Sequence, residues 1–109
     1  MAYSEALAQR VRGVLQDELG VTERKMFGGL CFMLRGNMCG GIMGDALLLR
    51  VGRERYQEVL AQPHTRPMDF TGRPMKGFIC VDPDGVATDD TLREWLQWGI
   101  AVAGSLPPK

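Results

Sequence analysis

Lys25-Met26-Phe27-Gly28-Gly29-Leu30-Cys31-Phe32-Met33-Leu34 runs into Arg35-Gly36-Asn37 and then into Met38-Cys39-Gly40-Gly41-Ile42-Met43. Both apolar runs lack a helical period, and the glycine-bearing link between them is a turn signal. Gly44-Asp45 turns the chain again, into Ala46-Leu47-Leu48-Leu49-Arg50-Val51. Three extended runs joined by tight turns predict an antiparallel meander. The glycines at 28, 29, 40 and 41 predict a bent sheet, bulges or a close backbone approach.

Upstream of the meander, Ser4 is a suitable N-cap, and Leu7, Val11, Val14 and Leu15 recur at helical spacing up to Gly20. This predicts a helix over about residues 4–19. Downstream, Arg53–Ala61 is a short helix-permitting stretch, 63–67 reads as loop, and Met68-Asp69-Phe70 as a short edge strand. Gly72-Arg73-Pro74 turns into a strand over Met75–Val81, and Asp82-Pro83-Asp84-Gly85 is a loop. Thr88 caps a final helix whose first turn carries Asp89 and Asp90 and which Gly104 and Pro107-Pro108 stop. The predicted fold class is α+β, order α-β-β-β-α-β-β-α, an antiparallel sheet with helices packed on it.

The 109 residues make one domain, and 45% hydrophobic with 24% charged residues suits a globular core. No apolar run approaches the roughly 20 residues of a membrane-spanning helix, and Met1–Glu5 does not read as a signal peptide. Three scattered cysteines do not form a disulfide framework, so the expected compartment is the cytoplasm. Net charge is zero but uneven. Residues 21–80 hold nine Lys/Arg against five Asp/Glu, while 81–109 hold two against five. That mild basic bias is far below that of a DNA-binding arm.

The residue types that carry chemistry are present, but not in the patterns that chemistry needs. Cys31, Cys39 and Cys80 lie in apolar strand contexts, where small buried thiols are common, and His64 is the single histidine. Three Cys and one His match a zinc ligand count but lack any C-x-x-C pair. The acids at 82–90 fit turn and cap chemistry rather than a calcium loop. No phosphate-cradling glycine motif occurs. The expectation is therefore no catalytic residue, no metal and no cofactor.

Six of the seven methionines (Met26, Met33, Met38, Met43, Met68, Met75) lie in or beside the strands. Core filling is the leading reading for them, and adaptable partner binding the alternative.

Arg24-Lys25-Met26-Phe27-Gly28-Gly29 resembles the R-K-M-F-G-G signature of the TfoX/Sxy family's N-terminal domain. Leu48-Leu49-Arg50-Val51 resembles its L-x-L-R strand, and Gly72-Arg73-Pro74-Met75 its G-R-P-M segment. The closing Leu92–Leu106 stretch is similar to single-domain members. The resemblance implies one TfoX N-terminal-like domain over residues 1–109, with Met26, Phe27, Gly28, Gly29, Gly72, Pro74 and Met75 as its structural signature. It also implies an α+β fold and a non-catalytic regulatory or protein-interaction role. Two-domain members act in competence gene regulation with a cyclic-AMP-responsive transcription factor. Arg24, Lys25, Arg50, Arg73 and Lys76 fall in the signature segments. Gathered on one face they would make an anion-binding or acidic-partner patch, and scattered they are ordinary surface charge. Weak nucleic-acid binding through this basic middle is the alternative function.

The final helix carries an apolar face of about 200° at ~100° per residue, wider than one sheet contact needs. Leu92, Leu96, Gly99 and Ala103 suffice for the inward contact, which leaves Trp98 and Val102 at the flank. The expected partners are an unidentified protein and a second copy of the chain. A tail folding back through Leu106 and Pro107 is the other way to cover that flank.

Overall fold

The fold is described from a computed structural model over residues 3–26, 28–69 and 74–107. The Ser4 hydroxyl accepts the Leu7 amide hydrogen at 3.2 Å and so caps helix α1, Glu5–Leu15. The helix buries Leu7, Ala8, Val11 and Leu15. It ends before the expected residue 19, because residues 16–20 are all exposed and no buried side chain holds a further turn.

Lys25–Leu34, expected as one strand, is part of a hairpin. Strand β1, Val21–Met26, runs antiparallel to β2, Gly29–Leu34, with Met26 opposite Gly29. Gly28 at φ +73 supplies the left-handed step of the tight turn. Phe27 lies outside the described residues. Strands β3 (Asn37–Met43) and β4 (Ala46–Arg50) complete the meander. Helix α2, Tyr56–Leu60, leads to β5 (Thr65–Asp69) and β6 (Pro74–Val81). A 3-10 turn, Pro83–Val86, precedes helix α3, Asp89–Gly104. The order is α-β-β-β-β-α-β-β-α, with one antiparallel sheet arranged β1-β2-β3-β4-β6-β5. The loop expected over 63–67 is corrected: Thr65, Arg66 and Pro67 pair with Val81, Cys80 and Ile79. β5 is an edge strand, where a residue without an N–H is tolerated.

Alternation in the strands builds two apolar layers. Leu30, Phe32, Leu34, Ile42, Leu47, Leu49, Ile79 and Val81 face the helices and meet Val11, Tyr56, Val59, Leu92 and Leu96. Full burial of each large side chain here contributes about 1.5–3 kcal/mol. The opposite face holds Cys31, Met38, Ala46, Leu48, Met68 and Cys80, with Met26, Met33, Met43, Met75 and Phe78 packed on them. All six strand-associated methionines therefore lie in one layer, where their flexible thioethers fill the surface of a curved sheet. At the β2–β3 bulge, Phe32 faces Gly40 and Met33 faces Met38, so Cys39 is the extra residue. Its thiol turns to the helix side and donates to the Phe32 carbonyl at 3.3 Å.

The Thr88 hydroxyl accepts the Thr91 amide hydrogen and starts α3. The helix buries Leu92, Leu96, Gly99 and Ala103, the inward set expected from its period. The Arg12 guanidinium grips Glu23 at 2.7 and 2.8 Å, tying α1 to the edge strand β1 and holding the Glu23 carboxyl below its usual value.

Candidate functional site

Gly52 leaves β4 at φ +85 and turns the chain toward α2, beneath the C-terminal half of α3. Gly77, at φ +93, accepts the Val51 and Gly52 amide hydrogens at 2.8 and 3.1 Å, which pins the middle of β6 to this turn. Two adjoining depressions result. The first is a cleft of about 320 Å³ lined by Arg50, Arg53, Lys76, Phe78, Val102 and Leu106. Its charged lining is wholly cationic. The Arg50 guanidinium lies 5.2 Å over the Phe78 ring and donates to the Met38 carbonyl at 3.3 Å, so its charge is held in place. Arg53 and Lys76 are exposed and make no ion pair among the described residues.

The second depression is a groove of about 700 Å³ between α3 and the Val51–Arg55 segment, lined along α3 by Trp98, Ala101, Val102 and Ser105. Past Trp98 it continues into a recess of about 190 Å³ beside Gln62, Thr91, Glu94 and Trp95. The two indoles stack with centroids 6.0 Å apart. The Arg55 guanidinium sits 4.4 Å over the Trp98 ring and is anchored to Glu58 at 2.6 Å.

Of the residues singled out in the sequence, Arg50, Lys76, Trp98 and Val102 line these two joined depressions. Arg24 and Lys25 sit exposed on β1, at the other side of the sheet, so the signature cations do not form one patch. Arg73, Gly72 and Phe27 lie outside the described residues. Arg53 and Arg55 were not singled out. Their only signal was three arginines within Arg50-Val51-Gly52-Arg53-Glu54-Arg55.

The three cysteines are free and buried, and burial pushes each thiol up, that of Cys39 to about 11. A thiol kept neutral in this way is a poor nucleophile. His64 stands exposed at φ +67 in the turn before β5. Among the described residues no group of three His, Cys, Asp or Glu side chains comes together as a metal site requires. At pH 8 a thiol-specific reagent should therefore modify the native protein far more slowly than the protein in denaturant. Equal rates would contradict the buried placement. Because the folded Cys39 thiol is raised, its contribution to stability is complete below about 9 and is lost as pH climbs toward 11; Cys31 and Cys80, also raised, act in the same direction.

No helix among the described residues is long and apolar enough to cross a membrane. No curated protein and no solved structure matches the chain. The family model of the TfoX N-terminal domain matches residues 14–103, a span that runs from α1 through β1–β6 to the last turn of α3 and takes in the cationic turn at Gly52–Arg53. With nearly all of its length matched, the chain belongs to the TfoX N-terminal domain family.

Proposed function

We propose that the chain is a non-catalytic, cytoplasmic protein-interaction module with a regulatory role, and that the cleft of Arg50, Arg53 and Lys76 receives an acidic segment of another protein. The observation that carries this reading is the convergence of three cations from β4, the following turn and β6 on one depression floored by Phe78 and Val102. An apolar floor with a charged rim is the usual make-up of a docking site: the floor provides affinity and the rim selects sign. The non-catalytic part of the reading is supported by the burial of all three thiols, which keeps them neutral and poor nucleophiles.

Nucleic acid is the second reading, since cations beside aromatics also bind single strands. The cleft suits it less well, because Phe78, its aromatic residue, already carries Arg50 on its face. The test compares affinity capture from cytoplasmic extract by the wild-type chain and by Lys76→Glu, with mass-spectrometric readout. At least one protein should be retained by the wild type and lost by the variant. Identical recoveries would overturn the reading. Retardation of a DNA or RNA probe that weakens steeply with salt would replace it with the second.

A further inference from the structure

Arg50, Arg53 and Lys76 are the charged residues of a cleft of about 320 Å³, and no acid lines it. Glu54, next to Arg53 in the chain, lines the α3 groove instead. None of the three cations has an ion-pair partner among the described residues. Like charges gathered around one cleft repel, and a bound anion relieves that cost.

The three charges arrive on separate stretches of backbone. Arg50 ends β4, and its guanidinium is held over the Phe78 ring at 5.2 Å. It spends one donor on the Met38 carbonyl, at 3.3 Å, out of the five a guanidinium carries. Arg53 follows the turn at Gly52, and Lys76 precedes Gly77 on β6. The Gly77 carbonyl, accepting from the Val51 and Gly52 amides, holds that turn beside β6.

Size and charge narrow the choice of anion. The volume is at the low end of the roughly 300–1,000 Å³ usual for ligand pockets. It has room for one side chain, not for a row of carboxylates. A single carboxylate brings one charge and two oxygens. A phosphorylated serine or threonine brings a charge of about −1.5 to −2 and three strong acceptor oxygens, matching three cations. Phe78, Val102 and Leu106 give the carbon atoms of that side chain an apolar wall.

We propose that the cleft takes a phosphorylated side chain of the partner protein, with Arg50, Arg53 and Lys76 holding the phosphoryl group. This inference rests on the reading of the cleft as a protein-docking site and specifies the anion it receives. The probes are a capped alanine peptide with a central phosphoserine, and the same peptide with serine or glutamate at its centre, titrated by NMR. The phosphopeptide should bind about tenfold or more tighter than the glutamate peptide, shifting the resonances of Arg53 and Lys76. Its affinity should fall about fivefold between neutral pH and pH ~5, because the second phosphate ionisation lies near 6. His64, the single histidine, sits beside Asp82 at the other end of β6 and does not titrate in the cleft.

Lys76→Gln and Arg50→Lys should each weaken phosphopeptide binding about tenfold. Arg24→Gln, on the far edge strand, should leave it unchanged. Lys76 is exposed, so its variant keeps the test open if Arg50→Lys melts early. Equal affinity for the phosphoserine and glutamate peptides, or binding indifferent to Lys76→Gln, overturns the proposal. So does an oligonucleotide without a terminal phosphate that binds as tightly as the phosphopeptide, an outcome that assigns the cleft to nucleic acid. Phosphatase treatment of the extract separates this inference from the docking reading. A protein captured through Lys76 should be lost after that treatment. If it is retained, docking stands and the phosphoryl inference falls. If no protein is captured while the phosphopeptide still binds, the phosphoryl site stands and the docking reading falls.

Discussion

Gly99→Val should lower the stability of the fold by about 3 kcal/mol or more, read as the shift of a urea unfolding midpoint. Gly99 is the point at which α3 touches the sheet. A Cβ there would run into the Cys39 carbonyl oxygen and come within 2.8 Å of a Leu49 methyl. The obstruction is largely backbone, so no rotamer change relieves it. The helix would have to lift off β3 and open the contacts of Leu92, Leu96 and Ala103. A loss that large is a substantial part of the 5–15 kcal/mol typical of a whole domain. Gly13→Ala is the matched control. Gly13 lies inside α1, is exposed, and has nothing within 4 Å of the added carbon. Removing its backbone freedom should stabilise the protein by about 0.5–1 kcal/mol. Equal and small effects at the two glycines would show that α3 does not sit directly on the β3 backbone.

The second large effect is expected at the hairpin turn. Replacing Gly28 and Gly29 together with valine should destabilise by about 2 kcal/mol or more, for two separable reasons. Gly28 holds φ +73 in open space, so a side chain there is strained but not crowded. Gly29 has ordinary φ, but its Cβ would enter the Ile42 carbonyl of the paired strand region. Gly28→Asn, which tolerates the left-handed conformation, should be nearly neutral, whereas Gly29→Ala should carry most of the loss. The melting temperatures of the two single variants decide it. If Gly29→Ala melts with the wild type, the close approach is not a constraint on the fold.

The parts of the fold legible in the sequence were those where one residue type has one physical use. Ser4 and Thr88 cap helices, and the 3.6-residue spacing of Leu92, Leu96, Gly99 and Ala103 picks out the inward face of α3. β1 was hidden because Thr22, Glu23, Arg24 and Lys25 are exposed polar residues. Their extended form comes from pairing with β2, not from their own pattern. β5 was partly hidden by Pro67, which argues against a central strand but not against an edge. The site was less legible still. Arg50 and Lys76 are 26 positions apart, and they meet only because β4 and β6 are neighbours in the sheet. The same pairing explains why Arg24 and Lys25, although in the most recognisable motif, end on the far edge strand. Sequence motif and spatial cluster thus diverge wherever strand order departs from chain order.

The place of α3 in the chain bears on how the protein emerges from the ribosome. The meander of β1–β4 pairs nearest neighbours and can form while later residues are still being made. Its helix-facing layer, however, stays wet until residues 89–104 leave the exit tunnel, because α3 covers β3 and β4. During that interval Leu47, Leu49 and Ile42 present bare aliphatic surface on a sheet whose edges are unpaired, the kind of surface chaperones bind. A stalled chain ending near residue 88 should therefore be protease-sensitive and chaperone-bound. Adding the final sixteen residues of helix should convert it in one cooperative step to the protected form.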